Sequence, residues 1–233
     1  MTSSQTSGEG PRRPLSSFFL PPLYPILDPA FLLARHAQCE PLDAARAMLD
    51  AGARILQLRH KGPYTRQAYE LAQALAELCK AHDGAQFAVN DRADIAALVG
   101  AAVLHVGQDD LPPAIVQPIC PGAAIGLSTH NEAQFRAASA DPAVSYVALG
   151  PIFGTASKEN PDPVVGIEEL ARLAALKRHP LVAIGGITLE RAPSVWNAGA
   201  DSIAVIGALV PDGATASDIF HATRAWCHAA SMV

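Results

Sequence analysis

Two aspartates follow consecutive apolar runs near the middle of the chain. The stretch "FAVNDR" leads to Asp91, and "AVLHVGQDD" leads to Asp110. If both runs are neighbouring strands of a parallel sheet, the two carboxylates meet at one edge and repel each other unless a cation lies between them. Magnesium accepts one or two protein carboxylates and completes its ligand shell with water and substrate phosphates. We therefore predict a Mg²⁺ site at Asp91 and Asp110, and a phosphorylated substrate.

A simpler interpretation assigns each aspartate to the first turn of the following helix as a cap. In that interpretation, Asp94 or Asp109 has a similar role at the surface. Capping is a sufficient explanation for one isolated aspartate. Because two acids follow consecutive strands, we favour the metal site.

Three polar residues alternate in "QLRHK", so Gln57, Arg59 and Lys61 lie on the same side of an extended chain. Two cations together need anionic partners, and a diphosphate supplies them. Lys158, at the end of "GTASK", adds a third cation. The alternative is an ion pair with Asp91 or Glu70.

Glycines mark the ends of two later runs, "AIGGIT" with Gly186 and "AVIGAL" with Gly207. Backbone N–H groups in such loops bind phosphate at the ends of the last two strands of many barrels. Each loop alone could be an ordinary tight turn. Together they predict a second phosphate site.

These residues are separated by a regular alternation of apolar runs and longer Ala- and Leu-rich segments of helical period. Eight runs have this character: LYPIL, RILQLR, QFAV, AVLHV, AAIGL, SYVAL, LVAIG and SIAVIG. Strands that alternate with helices form a parallel sheet. Since no G-x-G-x-x-G follows the first strand, we predict an α/β fold of the closed (β/α)₈ TIM barrel type, with its site at the carboxyl ends of the strands.

Composition limits the remaining possibilities. A chain of 233 residues, half of them hydrophobic, is long enough for one barrel domain, predicted at 20–233 after a Ser-, Gly- and Pro-rich disordered tail at 1–19. The net charge of -5 and the scattered basic residues disfavour nucleic acid. No uninterrupted apolar run could span a membrane. Four separated cysteines without C-x-x-C indicate reduced thiols and a cytoplasmic location.

In combination, "QLRHK", "NDRAD", "GQDDLP", "IGLSTHN", "GPIFGTASK" and "IGGI" resemble the thiamine phosphate synthase family, in the family's order. The resemblance extends from "YPILD" to "IAVIGAL". It implies a Mg²⁺-dependent (β/α)₈ transferase that joins 4-amino-2-methyl-5-hydroxymethylpyrimidine diphosphate to a thiazole phosphate, carboxylated or not, and releases diphosphate. A dissociative substitution is expected, with a pyrimidine cation and no general base on the protein.

The resemblance also implies a role for individual residues. The pyrimidine diphosphate site would comprise Gln57, Leu58, Arg59, His60, Lys61, Asn90, Ser128 and Lys158. The thiazole phosphate site would comprise Thr155, Ala156, Ser157, Gly186, Ile206 and Gly207. Arg59, Lys61 and Lys158 would stabilise the departing charge, and Asp91 and Asp110 would bind Mg²⁺. At Gly207 the family commonly has Ser, which implies weaker or rearranged phosphate binding, whereas Ser157 for Thr keeps the hydroxyl.

Two histidines suggest other interpretations. His130 lies where a related barrel, the thiazole tautomerase, carries a proton-transferring histidine, so tautomerisation is an alternative activity. His105, inside "VLHVG", is expected to have a core or supporting role. A third hypothesis is a non-catalytic phosphate-binding regulatory barrel. The oligomeric state is left open, and a homo-oligomer is compatible with the sequence.

Overall fold

The computed structural model describes residues 18–154 and 162–233. Its eight strands form a closed parallel barrel in chain order, in which β1 pairs with β8. The strands are β1 Leu23–Leu27, β2 Ile55–Leu58, β3 Gln86–Asn90, β4 Val103–Val106, β5 Ala124–Thr129, β6 Tyr146–Leu149, β7 Leu181–Ile184 and β8 Ser202–Val205. The predicted (β/α)₈ barrel is confirmed.

Helices follow each strand and cover the outside of the barrel. They are α1 Pro29–Ala34, α2 Pro41–Asp50, α3 Arg66–Ala81, α4 Ala93–Val99, α5 Pro113–Val116, α6 Glu132–Ala140, α7 Ile167–Ala174, α8 Ala192–Asn197 and α9 Ala216–Ala230. The predicted start of α3 is confirmed, because Thr65 Oγ1 accepts a hydrogen bond from the Ala68 N–H at 3.4 Å. Leu75 and Leu78 are on its buried face.

Side chains alternate along the strands between an inner and an outer core. The inner core contains Tyr24, Ile26, Ile55, Ala88, Val103, Ala124, Tyr146, Ala148, Val182 and Ala204. Leu23 and Leu27, the neighbours of these positions on β1, belong to the outer core under the helices. Because four of the inner residues are alanines, the barrel contains less side-chain volume than a fully packed interior, and a cavity remains at its carboxyl end.

Strand register brings the expected site residues to one end. Asn90 on β3 pairs with His105 on β4, and His105 pairs with Gly126 on β5. Asp91, which follows β3, therefore lies next to the end of β4. The residues after both strands share one rim.

The chain already contacts the barrel before the predicted domain start. The Phe18 ring stacks on Tyr146 with centroids 5.6 Å apart, and the Phe19 carbonyl accepts a hydrogen bond from Gln86 Nε2 at 2.7 Å. Both phenylalanines fall within the range assigned to the tail, whereas residues 1–17 lie outside the described part of the chain. Phe18 and Phe19 thus contact the barrel, and the structure of the predicted tail at residues 1–17 stays a prediction.

All four cysteines are free thiols. Within residues 18–154 and 162–233, no helix has the length and hydropathy that a bilayer crossing requires.

Candidate active site

A cavity of about 820 Å³ opens at the carboxyl end of the barrel. Its lining unites most of the residues that the sequence predicts for binding: Gln57, Arg59, Lys61, Asn90, Asp110, Ser128, Gly186, Ile206 and Gly207. The described chain therefore gathers side chains from widely separated strands at one site. Thr155, Ala156, Ser157 and Lys158 lie outside the described residues, and their roles stay predictions.

Two predicted residues direct their side chains away from this cavity. Leu58 is buried in the outer core under the helices. His60 bonds through Nε2 to the Pro63 carbonyl at 3.1 Å and packs edge-on against Tyr64. Strand alternation explains both positions, because Leu58 and His60 flank the inward-facing Arg59. A role of these two residues as direct ligands would have to involve their backbone atoms.

The two predicted metal ligands form an acidic pair beside a lysine. Lys61 Nζ lies 2.5 Å from Asp91 Oδ2. Burial raises the pKa of Asp91, Lys61 opposes that shift, and the adjacent Asp110 carboxylate raises the pKa further. Asp110 is oriented by the Gly107 N–H, which donates to its Oδ2 at 2.7 Å.

The backbone of Asp91 is itself unusual. Its φ of 65° lies in the left-handed region, which non-glycine residues adopt at a cost of about 1 kcal/mol. Its N–H donates to the His105 carbonyl at 2.7 Å, which continues the β3–β4 pairing beyond the strands. The turn therefore brings the carboxylate to the rim beside Lys61.

Capping does not explain either aspartate. Helices α4 and α5 have Arg92 and Pro112 at their N-caps, and neither helix has a side-chain cap. Asp94 pairs with Arg92 at 2.5 Å, and this hydrogen bond lowers the pKa of Asp94. The alternative that Asp91 and Asp110 serve as helix caps is wrong.

The donor set fits magnesium. Two carboxylates converge where one has a raised pKa, so a divalent cation would relieve both the repulsion and the burial cost. No group of three or more His, Cys, Asp or Glu ligands occurs within the described ranges. A closed protein cage for zinc is thus not present there, whereas magnesium needs only one or two carboxylates and a substrate phosphate.

Arg59 has a partner that sequence reasoning missed. Its guanidinium forms an ion pair with the buried carboxylate of Asp28, which also caps α1 by accepting from the N–H groups of Ala30 at 3.0 Å and Phe31 at 3.2 Å. The signal was available, because "LDPA" has an N-cap acid followed by Pro in the first turn. Asp28 therefore fixes the position of Arg59 at the cavity.

We expect Asp28→Ala to lower the free energy of unfolding by about 2–4 kcal/mol, because the variant loses a helix cap and leaves Arg59 without its buried counter-ion. Urea denaturation measures the change. The matched control is Asp212→Ala, which removes a 75% exposed partner of Arg35 and should cost less than about 1 kcal/mol. Equal losses in the two variants would show that the Asp28 pair contributes no more than a surface ion pair.

The glycine loops lie on the opposite side of the cavity. Gly186 has a φ of 63°, and a Cβ at this position would lie 2.3 Å from the Gly154 carbonyl oxygen. Gly207 begins the 3₁₀ turn Gly207–Leu209 immediately after β8. Arg191 lies over the Phe153 ring, 4.6 Å from its centroid, and also lines the cavity. Cavity-lining glycines and a cation thus occupy the side at which the sequence predicts a second phosphate.

A chain of hydrogen bonds between cavity-lining side chains crosses the barrel interior. Gln57 Nε2 donates to the Tyr24 hydroxyl at 3.0 Å, and that hydroxyl is 3.0 Å from the Tyr146 hydroxyl. His105 continues the chain, with Nδ1 2.9 Å from Tyr146 and Nε2 2.8 Å from Ser128 Oγ. Burial lowers the pKa of His105 to about 4 and raises that of Tyr24 to about 12. The expected supporting role of His105 agrees with this geometry.

His105 should make stability fall in acid. Above pH 6.5 the residue is neutral in both the folded and unfolded states, but between pH 6.5 and about 4 the unfolded chain binds a proton that the folded chain does not. The resulting loss is about 3 kcal/mol by pH 4. Urea unfolding across this range should show a smaller acid-induced loss in His105→Gln than in wild type. The exposed His221→Gln serves as control, and an unchanged pH dependence in His105→Gln would contradict the assignment.

His130 is held at the rim of the same cavity. Its Nδ1 lies 2.6 Å from the Gly150 carbonyl oxygen, which fixes the proton on that nitrogen for a neutral ring. Proton transfer by His130 stays a prediction.

The closed barrel, with cations, an acid pair and glycine loops around one cavity, defines a (β/α)₈ enzyme that handles small anionic molecules. Comparisons with known proteins identify its family. A family model described as thiamine monophosphate synthase matches residues 23–209. The thiamine-phosphate synthase of Laribacter hongkongensis is 40% identical over 87% of this chain and 92% of its own, and that of Koribacter versatilis is 40% identical over 84% and 92%.

A solved structure agrees with these matches. Thiamine phosphate pyrophosphorylase from Pyrococcus furiosus is 31% identical, with a TM-score of 0.77 over 90% of this chain and 95% of its own. The chain belongs to the thiamine monophosphate synthase family, whose members named above are transferases. The family resemblance and the enzyme class predicted from the sequence are confirmed.

Proposed function

We propose that this protein forms thiamine phosphate from 4-amino-2-methyl-5-hydroxymethylpyrimidine diphosphate and 4-methyl-5-(2-phosphoethyl)thiazole, with release of diphosphate. The observation that carries the proposal is the meeting of Asp91, Asp110 and Lys61 at the cavity rim. This arrangement suits a metal-bound diphosphate. The family membership supports the same reaction.

The pyrimidine diphosphate is assigned to the side formed by β2–β5. Arg59 and Lys61 offer charge to the diphosphate, and Asn90 and Ser128 offer hydrogen bonds. Both cations are held by aspartates before the substrate binds, Arg59 by Asp28 and Lys61 by Asp91. Their charges are therefore positioned in advance, which reduces the reorganisation that binding requires.

Mg²⁺ held by Asp91 and Asp110 would supply charge neutralisation at the leaving diphosphate. Basic residues around that position would bind and stabilise the diphosphate. Lys61 can move from Asp91 to a phosphate oxygen when the carboxylate gains another counter-charge. Arg59 would stabilise the charge that develops as the C–O bond breaks, and the family resemblance assigns the same role to Lys158.

The bond between the pyrimidine CH₂ and the diphosphate oxygen breaks first, and the electron pair leaves with the diphosphate. The amino-substituted ring stabilises the resulting cation. The thiazole nitrogen then forms the new C–N bond with its own lone pair, so no protein base has to remove a proton. The barrel contributes by holding the two reactants in line.

The thiazole phosphate is assigned to the glycine loops. Gly186, Ile206 and Gly207 line that side of the cavity, and backbone N–H groups near a tight turn bind phosphate without a side chain. The predicted partners Thr155, Ala156 and Ser157 belong to the same site by family resemblance. Because Gly207 has no hydroxyl, we assign phosphate binding there to the backbone.

Product formation tests the proposal directly. Purified protein is incubated with both substrates and MgCl₂, and chromatography should show thiamine phosphate and diphosphate in equal amounts. The thiazole substrate is supplied with and without a carboxyl group in parallel reactions, to determine which form is used. If both substrates bind, as measured by calorimetry, but no product forms with either, the proposed reaction is wrong.

A further inference from the structure

Five side chains from five different strands join the two sides of the pyrimidine site through the barrel interior. They run from Gln57 on β2 through Tyr24 and Tyr146 to His105 and Ser128. All five residues line the cavity; Ser128 is partly buried and the other four are buried. Gln57 and Ser128 are the two ends of this hydrogen-bond chain. The chain therefore connects two groups that a ligand can touch.

Each link of this chain has a direction. The Gln57 amide nitrogen can only donate, so the Tyr24 hydroxyl accepts from it. Either hydroxyl could donate in the Tyr24–Tyr146 pair, and donation by Tyr24 is favoured because it keeps the buried Tyr24 hydrogen bonded. Tyr146 in turn gives its hydrogen to His105 Nδ1. A neutral imidazole that accepts at Nδ1 carries its hydrogen on Nε2 and donates to Ser128 Oγ.

The direction determines what both ends offer to a ligand. Ser128 Oγ already accepts from His105, so its own hydrogen is available to the cavity. The Gln57 amide nitrogen gives one of its two hydrogens to Tyr24, which orients the amide and makes its carbonyl oxygen available as an acceptor. A reversed group in the buried interior would set two donors or two lone pairs against each other, at a cost of about 1–3 kcal/mol.

We infer that Tyr24, Tyr146 and His105 act as positioning residues that make Gln57 a hydrogen-bond acceptor and Ser128 a hydrogen-bond donor toward the substrate ring. The ring selected in this way carries a donor group, such as an exocyclic amine, and a ring nitrogen that accepts. An aminopyrimidine has both, and a pyrimidinone with C=O in place of the amine has the opposite pattern. This inference rests on the proposed function for the identity of the ring.

The tautomer of His105 tests the direction of this hydrogen-bond chain, called the relay below, without any catalytic turnover. We expect ¹⁵N spectra of histidine-labelled protein at neutral pH to show His105 with its hydrogen on Nε2, with His105→Gln used to assign the signal. Tyr146→Phe removes the hydroxyl but keeps the ring that stacks with Phe18 and His105, and it should shift His105 toward a mixture of tautomers. A hydrogen on Nδ1 in the wild type would overturn the inference.

The choice between two pyrimidine substrates tests whether the relay selects the ring. We expect the wild type to prefer the aminopyrimidine diphosphate over its pyrimidinone analogue by about 100-fold in kcat/KM. In Tyr146→Phe this preference should fall at least ~10-fold, while KM for the thiazole phosphate is unchanged. Tyr69→Phe, which makes the same chemical change on α3 outside the barrel interior, should keep the wild-type preference.

The outcomes separate the two proposals. Absence of product from wild-type protein would contradict the proposed function, while the spectra would still decide the direction of the relay. Product formation with an Nε2 tautomer but an unchanged preference in Tyr146→Phe would overturn the role of the relay in selection. Thermal melting of each variant confirms that the compared proteins are folded.

Discussion

Asp110→Ala and Asp91→Ala are each expected to reduce kcat for thiamine phosphate formation by about 1000-fold or more at any Mg²⁺ concentration that the assay permits. Each substitution removes one of the two carboxylates that converge at the cavity rim. Steady-state rates over a Mg²⁺ titration measure the effect. Asp94→Ala is the control, because Asp94 pairs with Arg92 on the surface. Unchanged rates at limiting Mg²⁺ would refute the assigned metal site.

A companion variant separates this loss from misfolding. Asp110→Asn keeps an oxygen that can accept from the Gly107 N–H and removes the charge that raises the pKa of Asp91. We expect this variant to be at least as stable as the wild type in urea while it remains inactive. Loss of activity together with a large loss of stability would instead indicate a structural role for the carboxylate.

Gly126→Ala is expected to destabilise the protein by about 3 kcal/mol. A Cβ on Gly126 would lie 2.1 Å from the Tyr146 ring and 2.3 Å from its hydroxyl, so the ring must move. Because Tyr146 is fully buried and stacks on both Phe18 and His105, a shift of its ring breaks these contacts. Urea unfolding should show the loss, and kcat/KM for the pyrimidine substrate should fall with it.

The control for that substitution is Gly84→Ala. Gly84 has a φ of 70°, but a Cβ on this residue would have no other atom within 4 Å, so alanine there meets backbone strain without a steric clash. We expect a cost of about 1 kcal/mol. A Gly126→Ala cost no greater than this would mean that Tyr146 is free to relocate.

The sequence predicted the fold and part of the cavity lining because both depend on local patterns. Apolar runs of strand length alternate with helical periods, and in a parallel barrel every strand delivers its next residues to the same end. Arg59 and Asp110 could therefore be assigned to one site from their positions after strands. The left-handed backbone of Asp91 could not be predicted, since "VNDR" has no glycine to mark it.

Contacts across the barrel were beyond sequence reasoning. Tyr24 and Tyr146 are ordinary aromatic strand residues in the sequence, and only the closed sheet brings their hydroxyls within 3.0 Å. The Arg59–Asp28 pair depends in the same way on the β1–β2 pairing. The sequence left two interpretations of Lys61, namely diphosphate binding and an ion pair with an acid. The ion pair with Asp91 is present in the structure. This pair does not decide whether Lys61 also binds diphosphate.

The pairing of β1 with β8 has a consequence for folding while the chain is being synthesised. Leu23 lies opposite Ile203, and the Trp196 indole donates to the Pro22 carbonyl at 3.2 Å across 174 residues. A ribosome must therefore release nearly the whole chain before β1 can acquire its second neighbour. Until then both outer strands of the growing sheet expose unpaired backbone groups, which can pair with other chains. We therefore expect truncation before β8 to yield an aggregation-prone open sheet rather than a smaller folded protein.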